Sequence, residues 1–426
     1  MKVLMFGWEF PPHITGGLGT ACFGITKAMT QLGNHVIFVV PKTYGDEDGN
    51  YTKLVSASDV SIDLSQNLYK EFWDNISYIE INSKLIPYLG TDDYFNVINK
   101  GEKYVALEKN NIHSKKYEFS GKYGETLLEE VERYAMVAAK LAKDNDYDII
   151  HAHDWLTYKA GVISKNISGK KLVIHVHATE FDRSGENINQ MVYDIERFGM
   201  DNADHIVAVS DYTRNIIINR YGQSPEKVTT IHNGADSFVT NDYAIERTVK
   251  EKVVTFLGRI TFQKGPDYFI EAASKVLKVY PNVRFVMAGS GDMLNRMVAL
   301  VAKKRISKNF HFTGFLKVED VNKMFALSDV YVMPSVSEPF GISPLEAMNS
   351  NVPVIISKQS GVSEVLKYAI KVDFWDTDAM ADAIYGLLNY PALSKMFISK
   401  GRNEVESIRW EDTARRLNDL YNNLLR

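Results

Sequence analysis

The chain has 426 residues, 45% hydrophobic and 24% charged, with a formal net charge of -4; that length exceeds one hydrophobic core and suits two domains. The mild negative charge gives no general attraction to nucleic acid, and Cys22, the one cysteine, excludes an internal disulfide framework and suits a reducing compartment. No apolar run reaches membrane-span length, and the apolar start stops at Pro11-Pro12, too short for a signal segment; the expectation is a cytoplasmic protein with no transmembrane segment and no peripheral membrane contact.

Short apolar runs alternate with helix-period segments almost throughout, the pattern of parallel sheets covered by helices on both faces. Residues 2–7 read as a first strand, Gly16-Gly17-Leu18-Gly19 opens a helix to about Gln31, Gly33 stops it, and residues 35–40 form the next strand. Between about 44 and 123 the pattern weakens into short strands, polar loops and many aromatics, among them Tyr69, Phe72, Trp73, Tyr88, Tyr94, Phe95 and Tyr104. This stretch reads as an insertion whose rings pack a small core of their own or line a saccharide groove. A helix near 125–143 leads into strands at 148–152, 171–177 and 205–210, the last followed by a helix from Asp211. The polar, weakly periodic stretch 236–250 reads as a linker.

A second series then begins, with strands at 253–258, 284–288, 310–314, 330–333 and 352–357. The expected organisation is an N-terminal acceptor-side Rossmann-like domain over 1–240, a C-terminal nucleotide-sugar-binding Rossmann-like domain over 241–405, and a helix within 406–426 that crosses back to the first. Two such open sheets imply a cleft between their carboxyl ends, where ligands of these folds sit.

Two runs carry the chemistry. Arg259 and Lys264 follow a strand, and charge-assisted hydrogen bonds from two cations suit a diphosphate leaving group. Glu338 and Glu346 flank a tight Pro/Gly turn and a helix start, so they can accept from hydroxyls while the first amides of that helix face phosphate oxygens. Gly16 and Gly17, after the first strand, permit close backbone approach to a phosphate, although the spacing is not that of a dinucleotide fingerprint.

His151-Ala-His153-Asp154-Trp155 closes one strand and His175-Val-His177 the next, so Asp154 and His177 converge on one crevice. His177 is taken for the site and His175 for structure. A zinc site from His151, His153, His175 and His177 is conceivable, but no cysteine lies near them in the sequence and the cations supply a metal's electrostatics. The pairs Asp46/Asp48, Asp146/Asp148 and Asp376/Asp378 could hold magnesium but read as solvated turns, and the basic cluster Lys303, Lys304, Arg305 and Lys308 as a solvated helix face. Serine-hydrolase, P-loop and kinase motifs are absent.

The ordered set Gly16-Gly17, His153-Asp154-Trp155, His177, Asn233-Gly234, Arg259 with Lys264, Gly289, Gly314, and Glu338-Pro-Phe-Gly341 with Glu346 resembles the retaining GT-B glycosyltransferases, most closely family four. The lean within it is toward glycogen and starch synthases, on His-Ala-His-Asp-Trp and the opening Phe-Gly-Trp-Glu-Phe-Pro-Pro. The resemblance spans nearly the whole chain and implies an α/β GT-B fold of two doubly wound Rossmann-like domains facing an interdomain cleft. It further implies a retaining hexosyltransferase that moves a hexose, glucose by this lean, from ADP- or UDP-sugar to an α-glucan, or else to a lipid-linked or cell-surface oligosaccharide.

Carried over by position, Arg259 and Lys264 bind the donor diphosphate, Glu338 the donor hydroxyls and Glu346 the ribose. Gly314, Phe340 and the backbone of Gly341, Ile342, Ser343 and Leu345 complete the donor site, with Gly16 and Gly17 closing from the other domain. His177 contacts the transferred sugar with Asp154 close by, and no metal or other cofactor is expected. Glucan synthases carry a lysine two residues before the Gly-Gly pair, where this chain has Ile14 and Thr15. A nucleotide-sugar epimerase, a phosphorylase or a non-catalytic sugar-binding protein fits the residues less well, because binding alone needs no charge compensation at a leaving group.

Overall fold

A computed structural model describes residues 1–12, 16–45, 47, 52–62, 115–120, 123–124, 126–235 and 249–426. The aromatics of the expected insertion, most of the expected linker, Asp46, Asp48, Ile14 and Thr15 lie outside the described residues.

Apolar stretches rich in Val and Ile favour strands buried on both faces, and they build two parallel sheets. In the first half, β1 (Lys2–Phe6), β2 (His35–Val40), β3 (Lys53–Ser56), β6 (Ile149–His153), β7 (Lys171–Val176), β8 (His205–Ala208) and β9 (Val228–Thr230) take the order β3-β2-β1-β6-β7-β8-β9. A two-residue antiparallel ladder joins β4 (Ser61–Ile62) to β5 (Lys115–Lys116). In the second half, β10 (Lys252–Leu257), β11 (Val283–Ala288), β12 (Phe310–Gly314), β13 (Val330–Met333), β14 (Val354–Ser357) and β15 (Ile370–Val372) take the order β12-β11-β10-β13-β14-β15. Each sheet steps outward from its first strand, then reverses. The crevice at a reversal, between β1 and β6 or between β10 and β13, is where such sheets bind ligands.

Alternation along each strand feeds two cores per sheet. Leu4, Phe6, Ile150, Ala152, Ile174 and Val176 face one side with Tyr134 and Trp155. Val3, Met5, Ile149, Val173 and Val207 face the other, beneath the helix Gly17–Gln31. That second face also takes Trp410, Ala414, Leu417 and Tyr421 of the last helix, Trp410–Leu424, which therefore packs on the N-terminal lobe. The fit is close, since a Cβ at Gly24 would overlap the Trp410 indole. In the second sheet, Val254, Phe256, Phe285 and Met287 lie against Phe269 and Ile384, and Val286, Ala288, Tyr331 and Met333 against Phe325 and Leu345.

Candidate active site

Side chains at i and i+2 of a strand share a face, so His151 and His153 of β6 point the same way as Met5 in the adjacent strand. His153 pairs in register with His175, and His177 extends that row. The result is a two-by-two array. The rings of His151 and His153 stack with centroids 4.4 Å apart, and those of His175 and His177 at 4.3 Å. Across the strands, His151 Nε2 lies 3.2 Å from His175 Nδ1, and His153 Nδ1 lies 2.9 Å from His177 Nε2. His151 Nδ1 also hydrogen-bonds the Tyr421 hydroxyl of the last helix.

Burial keeps the array neutral. It pushes His151 and His177 down to about 3, His151 with help from His177, and holds His153 and His175 well below the usual imidazole range. His177 alone of the four is only half-buried, so it is the member that opens toward the cleft. The sequence reasoning that no cysteine lies near these rings is corrected by the fold. Cys22, on the covering helix, offers its sulfur within 4.8 Å of ligand atoms of His153 and His177.

Asp154 ends β6 at φ 58, a backbone state that residues other than glycine adopt sparingly. Its Oδ1 accepts from the amides of His177 at 2.6 Å and Ala178 at 3.2 Å, which ties the ends of β6 and β7 together. Burial raises its carboxyl to about 7, against the pull of Arg183 and these two amides. Behind it, Arg183 bridges Glu180 at 3.0 Å and Glu196. This buried network went unread in the sequence, where Arg183 and Glu196 look like ordinary helix-surface residues.

On the opposite lobe, Lys264 Nζ meets Glu338 Oε2 at 2.5 Å, and the Ser335 hydroxyl donates to the same oxygen at 3.0 Å. Both bonds fall on Oε2, so Oε1 is the oxygen available to a substrate hydroxyl. Lys264 stands on a turn that begins where β10 ends, Glu338 on the loop after β13, and the two strands flank the reversal of the second sheet. Gly265 holds the turn at φ 62, and a Cβ there would overlap the Pro334 carbonyl.

Arg259 is exposed, two residues past the end of β10. Gly341, at φ 99, follows Glu338 closely enough that a Cβ would lie 3.1 Å from the Glu338 side chain. Phe340 is buried beside the His232 ring, and Ser343 shares a 2.8 Å hydrogen bond with Tyr331. The Leu345 amide already donates to the Ile342 carbonyl at 2.9 Å, which leaves Gly341, Ile342 and Ser343 as the amides of that run without a partner among the described residues. Glu346 lies one turn into the same short helix, Ser343–Asn349. Gly314 ends β12 at φ 70, and its carbonyl accepts from Gly289 at 2.9 Å. Gly16, extended at φ -177, and Gly17 are exposed with open space where a Cβ would stand, so neither packing nor backbone demands glycine there.

Several side-chain bonds join the halves at this level, among them Ser210 Oγ to the Pro339 carbonyl at 2.5 Å. The Ser337 hydroxyl, one residue before Glu338, donates to Asp182 Oδ1 at 2.5 Å, and Asp182 caps the helix that starts three residues after His177. Tyr212 reaches the same serine at 2.9 Å. Glu364 adds a further clasp, accepting from the amides of Asp211 at 2.8 Å and Tyr212 at 2.7 Å and from His232 Nε2 at 2.9 Å. An open pocket of about 240 Å³ adjoins the Ser337–Asp182 bond, walled by Phe181, Asp182, Tyr212, Phe262 and Ser337. Thus the loop that carries Glu338, with Lys264 paired to it, is tied through Ser337 and Asp182 to the segment that follows His177 and Asp154. The acidic pairs have other work: Asp146 pairs with Lys2 at 2.6 Å, Asp376 caps a helix through Ala379 at 2.9 Å, and Asp378 pairs with Lys275 at 2.6 Å.

Comparison with known proteins agrees with this layout. Residues 240–404 match the family model described as Glycosyl transferases group 1, and residues 112–237 match Glycosyltransferase Family 4. An uncharacterized glycosyltransferase of Methanocaldococcus jannaschii is 25% identical over 99% of this chain and 98% of its own. A glycogen synthase of Mycobacterium tuberculosis is 22% identical over 99% of this chain and 94% of its own. The sucrose-phosphate synthase of Thermosynechococcus elongatus superposes with a TM-score of 0.73 at 18% identity, covering 99% of this chain and 98% of that one. Among the described residues no helix is long and apolar enough to cross a membrane. With a match to a glycosyltransferase group 1 model behind a match to a Family 4 segment, on two Rossmann-like parallel sheets, the chain has the GT-B fold and is similar over both halves to glycosyltransferases.

Proposed function

We propose that the protein transfers a hexose, glucose in the first instance, from a nucleoside diphosphate sugar to an α-glucan acceptor with retention of anomeric configuration. The observation that carries this reading is the Lys264–Glu338 pair at the reversal of one sheet, linked through Ser337 and Asp182 to the His177 and Asp154 strand ends of the other. Lys264 and Arg259 neutralise the negative charge that builds on the diphosphate as the glycosidic bond breaks. Glu338 holds Lys264 in place through Oε2 and accepts from a donor hydroxyl through Oε1. Glu346 takes the ribose, the Gly341–Ser343 amides and Gly16-Gly17 approach the phosphates from either lobe, and Gly314 and Phe340 complete the donor wall. His177, neutral at physiological pH, offers the sugar a hydrogen bond without adding charge. The leaving diphosphate accepts the acceptor's proton on the same face, so no metal is needed.

A second acceptor, a lipid-linked or cell-surface oligosaccharide, is favoured by one observation: the chain has Ile14 and Thr15 where glucan synthases place a phosphate-binding lysine. The aromatic-walled pocket of Phe181, Tyr212 and Phe262 gives either saccharide a stacking surface. A thermal-shift panel of ADP-glucose, UDP-glucose, GDP-mannose and UDP-GlcNAc names the donor. Radiolabel transfer to glycogen then separates the acceptors: incorporation supports the glucan reading, and transfer only to a lipid-linked primer refutes it. Turnover with none of the four donors refutes both.

A further inference from the structure

The imidazole array holds more nitrogen lone pairs than the proposed transfer uses. Nε2 of His153 and Nε2 of His175 are fully buried with no hydrogen-bond partner among the described residues. An unpartnered buried ring nitrogen costs about 1–3 kcal/mol, so the one on His153, beside Cys22 and His177, calls for an occupant. Cys22, His153 and His177 can each bring one ligand atom within 4.8 Å of the others. A tetrahedral ion with ordinary zinc–nitrogen and zinc–sulfur bonds holds its ligand atoms about 3.5 Å apart, so a contraction of at most about 1.3 Å closes the set. The carboxylates of Asp154 and Glu9 lie near enough to act on the Cys22 thiol, and both would favour a cation there. His177 is half-buried and supplies a way in from the cleft.

We propose that Cys22, His153 and His177 bind one borderline-soft divalent cation, Zn2+, with its fourth position open to the interlobe cleft. A thiolate with two imidazoles selects zinc over magnesium, calcium or manganese, which prefer oxygen ligands. On binding, the Cys22 thiol gives its proton to solvent and the sulfur takes the metal in its place; the imidazoles are already neutral. The ion displaces the His153–His177 hydrogen bond and occupies the ring that the proposed transfer assigns to the hexose, so zinc acts as an inhibitor. That consequence rests on the proposed function; the binding itself does not.

The test uses the full-length protein stripped of metal. Competition against a chromophoric zinc chelator should show one equivalent per chain, with a dissociation constant tighter than about 1 μM. Substituting Co2+ should give an intense near-ultraviolet thiolate-to-cobalt band together with tetrahedral visible bands. Cys22→Ser should erase the near-ultraviolet band and weaken zinc by at least about 100-fold, while its melting temperature and its transfer activity stay near wild type. Absence of saturable binding, a cobalt spectrum in wild type without the sulfur band, or a Cys22→Ser protein that binds zinc as tightly as wild type would each overturn the site. Transfer should fall as zinc saturates and return with EDTA; saturation that leaves transfer unchanged would overturn the placement of the open position. A protein that binds zinc yet shows no transfer at any zinc level refutes the proposed reaction and leaves the metal site standing.

Discussion

Replacing Lys264 by Ala separates two effects whose sizes follow from the geometry. The Lys264 side chain is 22% exposed and Glu338 8% exposed, with the charges 2.5 Å apart. Breaking a fully buried pair from one side costs about 3–5 kcal/mol, because the other charge is stranded. Here the Ser335 hydroxyl still donates to Glu338, and the lysine is partly solvated, so the loss should be nearer 2 kcal/mol. For domains of this size that lowers Tm by about 4–8 °C. The rate effect is larger: loss of one electrostatic stabiliser of a developing charge costs about 10²–10³ in kcat. Adding Glu338→Gln to Lys264→Ala should recover most of the lost Tm, since no charge is then stranded, yet restore none of the rate. The assay is initial-rate release of nucleoside diphosphate beside a melting curve for each of the three proteins. A Lys264→Ala variant that keeps kcat within about threefold of wild type would refute the assignment, whatever its Tm.

Glu338→Ala should abolish transfer with little change in nucleotide affinity, read by calorimetric titration of the nucleoside diphosphate; a nucleotide affinity that collapses along with transfer would place Glu338 elsewhere in the site. Asp182→Asn, which weakens the Ser337 link, should raise the KM for donor more than it lowers Tm; an unchanged KM would show that the link is structural only. EDTA should not inhibit transfer by the enzyme as purified, and inhibition would contradict a reaction run by cations of the protein alone. Acid should destabilise the fold. The unfolded chain takes protons on its histidines below about pH 6.5, while folded His151 and His177 resist them down to about 3, and His153 and His175 also resist. Their stabilisation is complete above that range and is lost as pH falls. Asp154 and Glu196, both raised to about 7, act oppositely and gain stability as pH falls below 7, as does Asp182, also raised by burial. The four imidazoles lose stability on acidification and the three carboxyls gain it, and with the imidazoles in the majority the balance is a net loss as pH falls from 7 to 5. Denaturant midpoints at pH 7 and 5 measure it, and a midpoint that rises on acidification would refute the balance.

Much of the scaffold was legible because parallel strands buried on both faces leave continuous Val and Ile runs. The run His35–Val40 and the run Phe310–Gly314 are strands with the bounds their apolar residues suggest. The two-by-two histidine array was half legible: period two put His175 and His177 on one side, but only the register of β6 against β7 sets His153 beside them. Cys22 could not be read as their neighbour, since 129 positions or more of sequence separate it from them and only packing of its helix on the sheet brings it there. Glu364 and Asp182 stayed hidden for the same reason, as each acts on the far lobe and local pattern carries no record of that. Lys264 with Glu338 was proposed as one constellation from residue type alone, and their ion pair is a fact of the fold.

In the proposed reaction the C-terminal cations neutralise a departing diphosphate while the hexose lies against the N-terminal strand ends. A crystal structure of the complex with nucleoside diphosphate and sugar tests it most directly. The β-phosphate should lie within about 3.5 Å of Lys264 Nζ, with the hexose between Glu338 and His177. A diphosphate bound away from Lys264, for instance in the pocket of Phe181 and Phe262, would contradict the account.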